Sequence, residues 1–225
     1  MWLMATKMPI QTENTGKIFE RSVCLLYGIP YVGKYKYDIE TAQKLVPRLE
    51  RLKTLFPECR HSAKSGARYD FTSLDDSQFL SAKTTKKDGK VAPQVIGQAK
   101  PEKFCQLSGL QFTEVSKLKS DIQENIINVL PILFKYTFDC PIIYYNENKD
   151  TIKFIKSTRE IPWSEYQYQW TKKPEDWNGS STVKIGTVPI AEFQFHSKSR
   201  TNMAIRWCFE NFLEVFSDYL DVKLL

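Results

Sequence analysis

Asp70 and Lys83 are the residues of this sequence whose types and spacing could do chemistry together. Tyr69–Thr72 has strand character, a polar turn covers residues 73–77, and a second strand is predicted over Gln78–Thr84. A hairpin of this size folds back and brings an acid and an amine to one point. Such a pair suits metal-dependent phosphodiester hydrolysis, because a carboxylate holds the metal while an amine orients the attacking water or stabilises developing charge.

The surroundings of this pair offer further metal ligands. Magnesium takes oxygen ligands, and one or two carboxylates together with the substrate phosphate usually suffice. Asp70 is therefore the first candidate ligand, and the backbone carbonyl of Ala82, between Ser81 and Lys83, is the second. Glu20, on the first predicted helix, is a candidate acid that would contact the metal ligands rather than the metal itself.

This arrangement resembles the PD-(D/E)XK nuclease fold, and in particular the type II restriction endonucleases. In that family an acid opens one strand and an (Asp/Glu)-x-Lys follows on the next strand of a mixed sheet, often after a helix that bears a Phe-Glu pair. By resemblance Asp70 matches the first acid, Lys83 matches the lysine, and residues 16–20 (GKIFE) match the helix. Two positions depart from the pattern, because Tyr69 stands in place of the proline and Ser81 in place of the second acid.

Some restriction enzymes are similar in having Ser-x-Lys, with the missing carboxylate supplied by the following helix. Pro93 predicts the first turn of such a helix, and Gln94 and Gln98 would share one of its faces because they are four residues apart. Either amide could ligate the metal through its oxygen or hold a metal-bound water. A site with so few charges would depend on DNA phosphates for metal occupancy.

The resemblance implies a Mg2+-dependent enzyme that makes double-strand cuts at a short palindromic site in double-stranded DNA. A palindrome is matched by protein two-fold symmetry, so a homodimer is expected. A cognate DNA methyltransferase would be a biological partner rather than a physical one. The alternatives are another PD-(D/E)XK nuclease that acts in repair or on junctions, a catalytically inert DNA- or RNA-binding module, and an ordinary surface hairpin.

Polar segments in the second half of the chain are candidates for reading DNA, because amide, hydroxyl and basic side chains can reach base edges. The residues predicted to contact bases are Asn178, Ser180, Gln194, His196, Lys198, Arg200 and Asn202. The lysines predicted to neutralise phosphates are Lys34, Lys36, Lys86, Lys87, Lys172 and Lys173. The excess of Asn, Gln, Ser and Thr over Arg in these segments leans toward an A·T-rich site, although polar loops in water would look the same.

The remaining pattern predicts an α/β protein with a central mixed sheet flanked by helices. Helices are predicted over residues 17–28, 40–55, 114–138 and 201–219, and hairpins over residues 142–155 and 182–195. Pro47 and Pro131 are expected to disturb two of these helices, and residues 56–66 are predicted to form a loop. We expect one nuclease domain over residues 1–225, with a catalytic half of about 16–140 and a DNA-reading half of about 141–225.

Composition limits the possible functions. A net charge of +6 permits a nucleic-acid partner without requiring one. Five scattered cysteines form no CxxC or Cys/His cluster, which favours a reducing cytoplasm over a disulfide framework or a zinc site. Only two histidines occur, which disfavours Ser-His-acid hydrolases and His-metal nucleases. No apolar run of about 18 residues is present, so no membrane span is expected.

Overall fold

The computed structural model describes residues 12–64, 67–86, 89–195 and 202–225 of the chain. Its α-helices are α1 (Thr12–Tyr27), α2 (Ile39–Leu45), α3 (Pro101–Ser108), α4 (Val115–Glu124), α5 (Ile126–Phe138) and α6 (Phe209–Val215). Its strands are β1 (Cys59–His61), β2 (Phe71–Ser73), β3 (Phe79–Thr85), β4 (Lys90–Val91), β5 (Ile142–Asn146), β6 (Thr151–Ser157), β7 (Tyr168–Trp170), β8 (Ser180–Ile185), β9 (Val188–Phe195), β10 (Met203–Cys208) and β11 (Leu220–Leu224). Short 3-10 helices cover Val46–Thr54, Ile96–Gln98, Trp163–Glu165 and Ser217–Tyr219.

These strands form two sheets. The six-stranded sheet is mixed and has the order β1-β2-β3-β5-β6-β11, and helices flank it. The five-stranded sheet has the order β4-β10-β9-β8-β7, with antiparallel neighbours throughout. The predicted α/β class and mixed sheet are thus confirmed, whereas the second sheet was not predicted.

The chain divides into two compact units. The first unit contains Met1–Lys86, Ile143–Ile152 and Leu225, and the second contains Lys87–Ile142 and Lys153–Leu224. The expectation of one nuclease domain with two functional halves stays a prediction.

Helix α1 supports the strands of the first unit. Its apolar residues recur at helical spacing, and Ile18, Phe19, Val23 and Leu26 are all buried. Gly28 follows the helix with a φ of +65°, a conformation that glycine adopts without the steric cost of a Cβ. Gly16 lies against β3, since a Cβ built there would be 3.5 Å from the Thr84 hydroxyl. The first predicted helix is therefore confirmed, and it begins earlier than expected.

The hairpin of β2 and β3 forms as predicted, with Phe71 opposite Leu80. Its turn is organised by the carboxylate of Asp75, which accepts hydrogen bonds from the Ser73 hydroxyl (2.5 Å) and from the amide (3.2 Å) and hydroxyl (2.8 Å) of Ser77. These donors favour the charged form and lower the pKa of Asp75 to about 2. The turn thereby fixes the register that brings the start of β2 beside the middle of β3.

Three predicted helices differ from the structure. The first is the helix over residues 114–138, which is divided into α4 and α5 at Asn125. The Asn125 amide and side chain both donate to the Asp121 carbonyl, at 3.0 and 2.8 Å. This local bond competes with continuation of the helix. Pro131 lies inside α5.

The second difference is the helix predicted over residues 201–219. Residues 203–208 form β10, and only Phe209–Val215 is α-helical. Along β10 the residues alternate between buried and partly exposed, which is the period of a strand. Pairing with β9 and β4 explains why this stretch is a strand although its apolar residues also fit a helical spacing.

The third difference is the helix predicted to carry Gln94 and Gln98. Val95 has a φ of +60°, which is incompatible with a right-handed helix, and only a single 3-10 turn follows. Gln94 is buried whereas Gln98 is exposed, so the two amides do not share a face. The residue spacing did not reveal the left-handed backbone at Val95.

The other elements follow the sequence more closely. Pro47 coincides with a change from α2 to a 3-10 helix. The predicted hairpins form as β5–β6 and β8–β9. Residues 56–66 were predicted as a loop, yet Cys59–His61 is strand β1 and pairs with β2. Among the described helices, none is long and apolar enough to cross a membrane.

Replacing Asp75 with alanine should lower the melting temperature by an amount that depends on pH. The folded-state pKa of Asp75 is depressed from 3.8 to about 2, so its contribution is present above pH 3.8 and is lost as the pH falls toward 2. Thermal unfolding of wild type and Asp75→Ala between pH 6 and pH 2 would measure the difference. A difference that stays constant across this range would show that the carboxylate charge does not organise the turn.

Candidate active site and nucleic-acid interface

The carboxylate of Asp70 is fixed immediately before β2, within the first unit. Its Oδ2 accepts hydrogen bonds from the Ser81 hydroxyl at 2.9 Å and from the Ala82 amide at 2.7 Å. Its backbone is held as well, because the Asp70 carbonyl accepts from the Ser62 amide at 2.8 Å. In the part of the chain that the structure describes, Oδ1 has no hydrogen-bond partner. One oxygen of Asp70 is thus used to orient the other.

Lys83 and the Ala82 carbonyl lie next to this carboxylate along β3. Residues two apart in a strand project from the same face, so Lys83 projects from the face of Ser81, whose hydroxyl contacts Asp70. The amide and carbonyl of one strand residue point to the same edge. The Ala82 carbonyl therefore points to the edge on which its amide meets Asp70. No described residue forms a hydrogen bond or ion pair with the Lys83 ammonium.

These groups fit a hard cation that takes only a few of its ligands from the protein. Asp70 offers a carboxylate oxygen and Ala82 a carbonyl on one strand edge, which are the ligand types that magnesium prefers. No group of three or more His, Cys, Asp or Glu residues that could hold a metal occurs among the described residues. A metal at Asp70 would consequently need oxygens from the substrate, and the transition-metal sites built from several imidazoles or thiolates do not fit here.

Glu20 is part of a separate cluster around His61, which the sequence did not single out. The Val32 amide donates to His61 Nδ1 at 2.8 Å, so the ring proton lies on Nε2, 3.4 Å from Glu20 Oε2. The Tyr31 ring stacks on the imidazole at 4.5 Å. Burial and the nearby Glu20 raise the pKa of the Tyr31 hydroxyl. The signal available in the sequence was the charged Arg60 between Cys59 and His61, which in the structure alternate as buried, exposed and buried residues of β1.

This cluster is linked to Asp70 through the backbone. His61 pairs with Phe71 across β1 and β2, and the next residue, Ser62, donates its amide to the Asp70 carbonyl. The contacts of Glu20 are to His61 and Tyr31, and no hydrogen bond joins Glu20 to Asp70 in the described structure. Glu20 is thus placed to support the strand that carries Asp70 rather than to touch its carboxylate.

Gln94 and Gln98 belong to the second unit. The Gln94 amide nitrogen is 4.0 Å from the Cys140 sulfur, and its backbone amide donates to the Tyr136 carbonyl at 3.0 Å. The Gln94 Oε1 is buried and has no hydrogen-bond partner among the described residues. Gln94 therefore keeps an uncommitted acceptor, and the roles predicted for both glutamines stay predictions.

The predicted phosphate-binding lysines are all at least partly exposed where the structure describes them. Lys34 and Lys36 extend from the loop before α2, and Lys86 lies 3.9 Å from the Glu147 carboxylate. Lys172 and Lys173 are exposed in the loop after β7. Exposure is the property that contact with a phosphate backbone requires.

Two of the predicted DNA-reading segments come together in the second unit. Ser180 of β8 pairs with Gln194 of β9, and the Phe195 amide donates to the Gly179 carbonyl at 3.0 Å. Asn178 is exposed at the start of the same strand pair. The sequence had placed these residues in separate segments, and the register of β8 and β9 makes them neighbours.

The remaining predicted readers follow β9. Asn202 is exposed immediately before β10. Four predicted contacts lie outside the described residues: Lys87, His196, Lys198 and Arg200.

Together these features define an α/β protein whose mixed sheet positions an oriented carboxylate, immediately before β2, next to the strand β3 that carries a lysine. This arrangement is compatible with a nuclease-like fold. The chain is 42% identical, over 218 residues, to the type II restriction enzyme CviAII of Paramecium bursaria Chlorella virus 1. The match covers 95% of this chain and 63% of that relative, so the chain spans less than two thirds of the relative's length. No protein-family model and no solved structure matches the chain.

Replacing His61 with phenylalanine should lower the free energy of unfolding by about 1–3 kcal/mol, because the Val32 amide and the Glu20 carboxylate lose their shared partner while an aromatic ring is kept at this position. Urea unfolding would measure the change. Tyr31→Phe is the matched control, since its hydroxyl makes only a long 3.5 Å contact with Glu20, and we expect a loss below about 1 kcal/mol. Equal losses in both variants would contradict a central role for His61.

Proposed function

We propose that this chain acts as a type II restriction endonuclease of the PD-(D/E)XK kind and makes Mg2+-dependent double-strand cuts at a short palindromic DNA site. The observation that carries the proposal is the 42% identity to a type II restriction enzyme over 95% of the chain. The oriented carboxylate of Asp70, with Lys83 two residues beyond the serine that orients it, supplies the chemistry that this activity needs.

We infer the roles of the residues from their geometry. Bound magnesium would polarise the scissile phosphate and lower the pKa of a water. Asp70 would hold it through Oδ1, since Oδ2 is engaged by Ser81 and Ala82, and the Ala82 carbonyl would add a second oxygen. Lys83 would orient the attacking water or stabilise charge on the phosphate through its ammonium. Ser81 takes no part in ligation and keeps the carboxylate in place.

The substrate is double-stranded DNA. Lys34, Lys36 and Lys86 of the first unit and Lys172 and Lys173 of the second would neutralise phosphates. The polar residues at the β8–β9 pair would face bases, and their composition favours an A·T-rich site. A homodimer would present two active sites to the two strands of a palindrome. The enzyme would work in the cytoplasm, alongside a methyltransferase that protects the same site.

The main alternative is a catalytically inert DNA- or RNA-binding module. It is favoured by Ser81, which stands where a second acid is expected, and by the lack of any cluster of three metal-ligating residues in the described structure. Another PD-(D/E)XK nuclease that recognises the shape of junctions or damaged DNA would share the active site but not the sequence specificity.

Lys83→Ala should reduce cleavage by about 100-fold or more while leaving DNA binding intact, because the ammonium acts on the reacting phosphate. Asp70→Asn should have the same effect, since it removes the charge that holds the metal. Plasmid cleavage with Mg2+ measures the first property, and electrophoretic retention of a duplex with Ca2+ measures the second. Lys53→Ala, which removes an exposed lysine that pairs with Glu50, is the matched control and should cleave normally.

If Lys83→Ala and Asp70→Asn both retain magnesium-dependent cleavage, the assignment of the active site is wrong. If neither wild type nor variants cleave while all bind DNA, the inert binding module is the correct function.

Digestion of a plasmid library with Mg2+, followed by sequencing of the ends, should give discrete ends that are symmetric about one palindrome. This result follows from two identical active sites acting on one two-fold site. Addition of EDTA should abolish cleavage. Ends that cluster at branched or mismatched DNA without a shared sequence would favour the repair or junction nuclease.

A further inference from the structure

The five-stranded sheet of the second unit has one apolar and one polar face. Its apolar face contains the fully or almost fully buried side chains of Val183, Ala191, Phe193, Met203, Ile205 and Trp207. Cross-strand pairing places Thr182, Glu192 and Arg206 in one row of the other face and Ser180, Gln194 and Ala204 in the next. Antiparallel sheets commonly cover one face and leave the other accessible.

A buried carboxylate organises the polar face. Glu192 is only 7% exposed, yet its two oxygens each have a cationic partner. Arg206 Nη2 donates to Oε1 at 3.0 Å, and the Lys90 ammonium from β4 forms an ion pair with Oε2. Glu192, Arg206 and Lys90 together carry one net positive charge. The Glu192 carboxylate holds the Arg206 guanidinium in one place on the sheet.

Arg206 in turn orients Gln194. The same Nη2 nitrogen donates to Gln194 Oε1 at 2.7 Å, across the diagonal between the two rows. Because a guanidinium only donates, the atom facing it must be the amide oxygen. The Gln194 amide nitrogen, with its two donors, is therefore turned away from Arg206, and the side chain is partly exposed.

We propose that Gln194 reads a hydrogen-bond acceptor on a base edge through its amide N–H groups, and that Arg206 is the positioning residue that makes this glutamine a donor. The inference rests on the proposed function, because it assigns a specificity-determining role within the DNA-reading surface of the same enzyme. Glu192 and Lys90 act through Arg206 and do not touch the base.

This orientation changes which base the glutamine prefers. A free glutamine pairs with adenine by accepting from N6 and donating to N7. Here the oxygen is engaged by Arg206, so the donor nitrogen dominates the contact. Guanine presents two neighbouring acceptors, N7 and O6, in the major groove, and it is the base edge that best matches a donor. Gln194 should thus select guanine at one position, including within an otherwise A·T-rich site.

The network of Glu192, Lys90 and Arg206 is better explained by the orientation of Gln194 than by a contribution to the stability of the fold. Replacing a buried ion pair with apolar residues of similar size is often neutral or stabilising, so such a pair is weak evidence of a structural need. Arg206 also leaves its Nε buried without a hydrogen-bond partner in the described structure, which is a cost. What this arrangement provides is a Gln194 amide with one defined direction.

The test is selection of bound duplexes from a randomised double-stranded DNA library in Ca2+, paired with end sequencing after cleavage of the same library in Mg2+. We expect wild type to enrich a motif that contains guanine at one position. Gln194→Ala should lose about tenfold discrimination at that position alone. Arg206→Met should relax the same position to accept adenine, because the amide is free to rotate, and Arg206→Lys should partly restore guanine.

Gln169→Ala removes an exposed glutamine from β7 of the same sheet and is the matched control, with an unchanged motif expected. Thermal unfolding measures whether each variant is folded. If Arg206→Met unfolds, Glu192→Gln, which removes the charge that holds Arg206, should relax the same position instead. The inference is overturned if Gln194→Ala keeps the wild-type motif, if the affected position is adenine in wild type, or if the Arg206 and Gln194 variants affect different positions. A wild type that enriches no motif and produces no discrete ends overturns the proposed function itself.

Discussion

The contact on which the candidate active site depends is the acceptance of two hydrogen bonds by one oxygen of Asp70. The Ser81 hydroxyl and the Ala82 amide both lie on β3, so this contact exists only when β2 and β3 pair in the observed register. A shift by one residue would turn Ser81 and Lys83 to the opposite face. The Asp75 turn, the packing of α1 on β3 and the pairing of β1 with β2 all act to hold this register.

The same contact explains how serine can stand at the position where the PD-(D/E)XK pattern, which this site resembles, has an acid. A carboxylate at position 81 would lie next to Asp70 and repel it unless a cation were bound. A hydroxyl donates to Asp70 instead, so the carboxylate is ordered by the protein alone. The consequence is a lower charge at the site. A metal bound there, as we propose, would gain more of its binding free energy from DNA phosphates, which would link metal occupancy to the presence of DNA.

The sequence predicted the local parts of this arrangement and missed those that depend on distant contacts. The hairpin, α1, and the neighbourhood of Asp70 and Lys83 could be predicted from the sequence. Period-2 and period-3.6 patterns, separated by turn residues, encode these features directly. The strand β10 was predicted as a helix because its apolar spacing fits both periods, and only pairing with β4 and β9 decides between them. The left-handed backbone at Val95 has no sequence signal of its own, since valine rarely adopts it.

Side-chain orientation was the least predictable property, and it is the one that changes the functional interpretation. Composition identifies Gln194 as a polar residue that suits adenine, whereas the structure adds Arg206 as a donor to its oxygen. Arg206 is twelve residues away from Gln194 and fourteen from Glu192 in the chain. It reaches both because β9 and β10 run antiparallel. A residue type thus defines what a side chain is able to bind, but the hydrogen bonds already made within the protein define what it has left to offer.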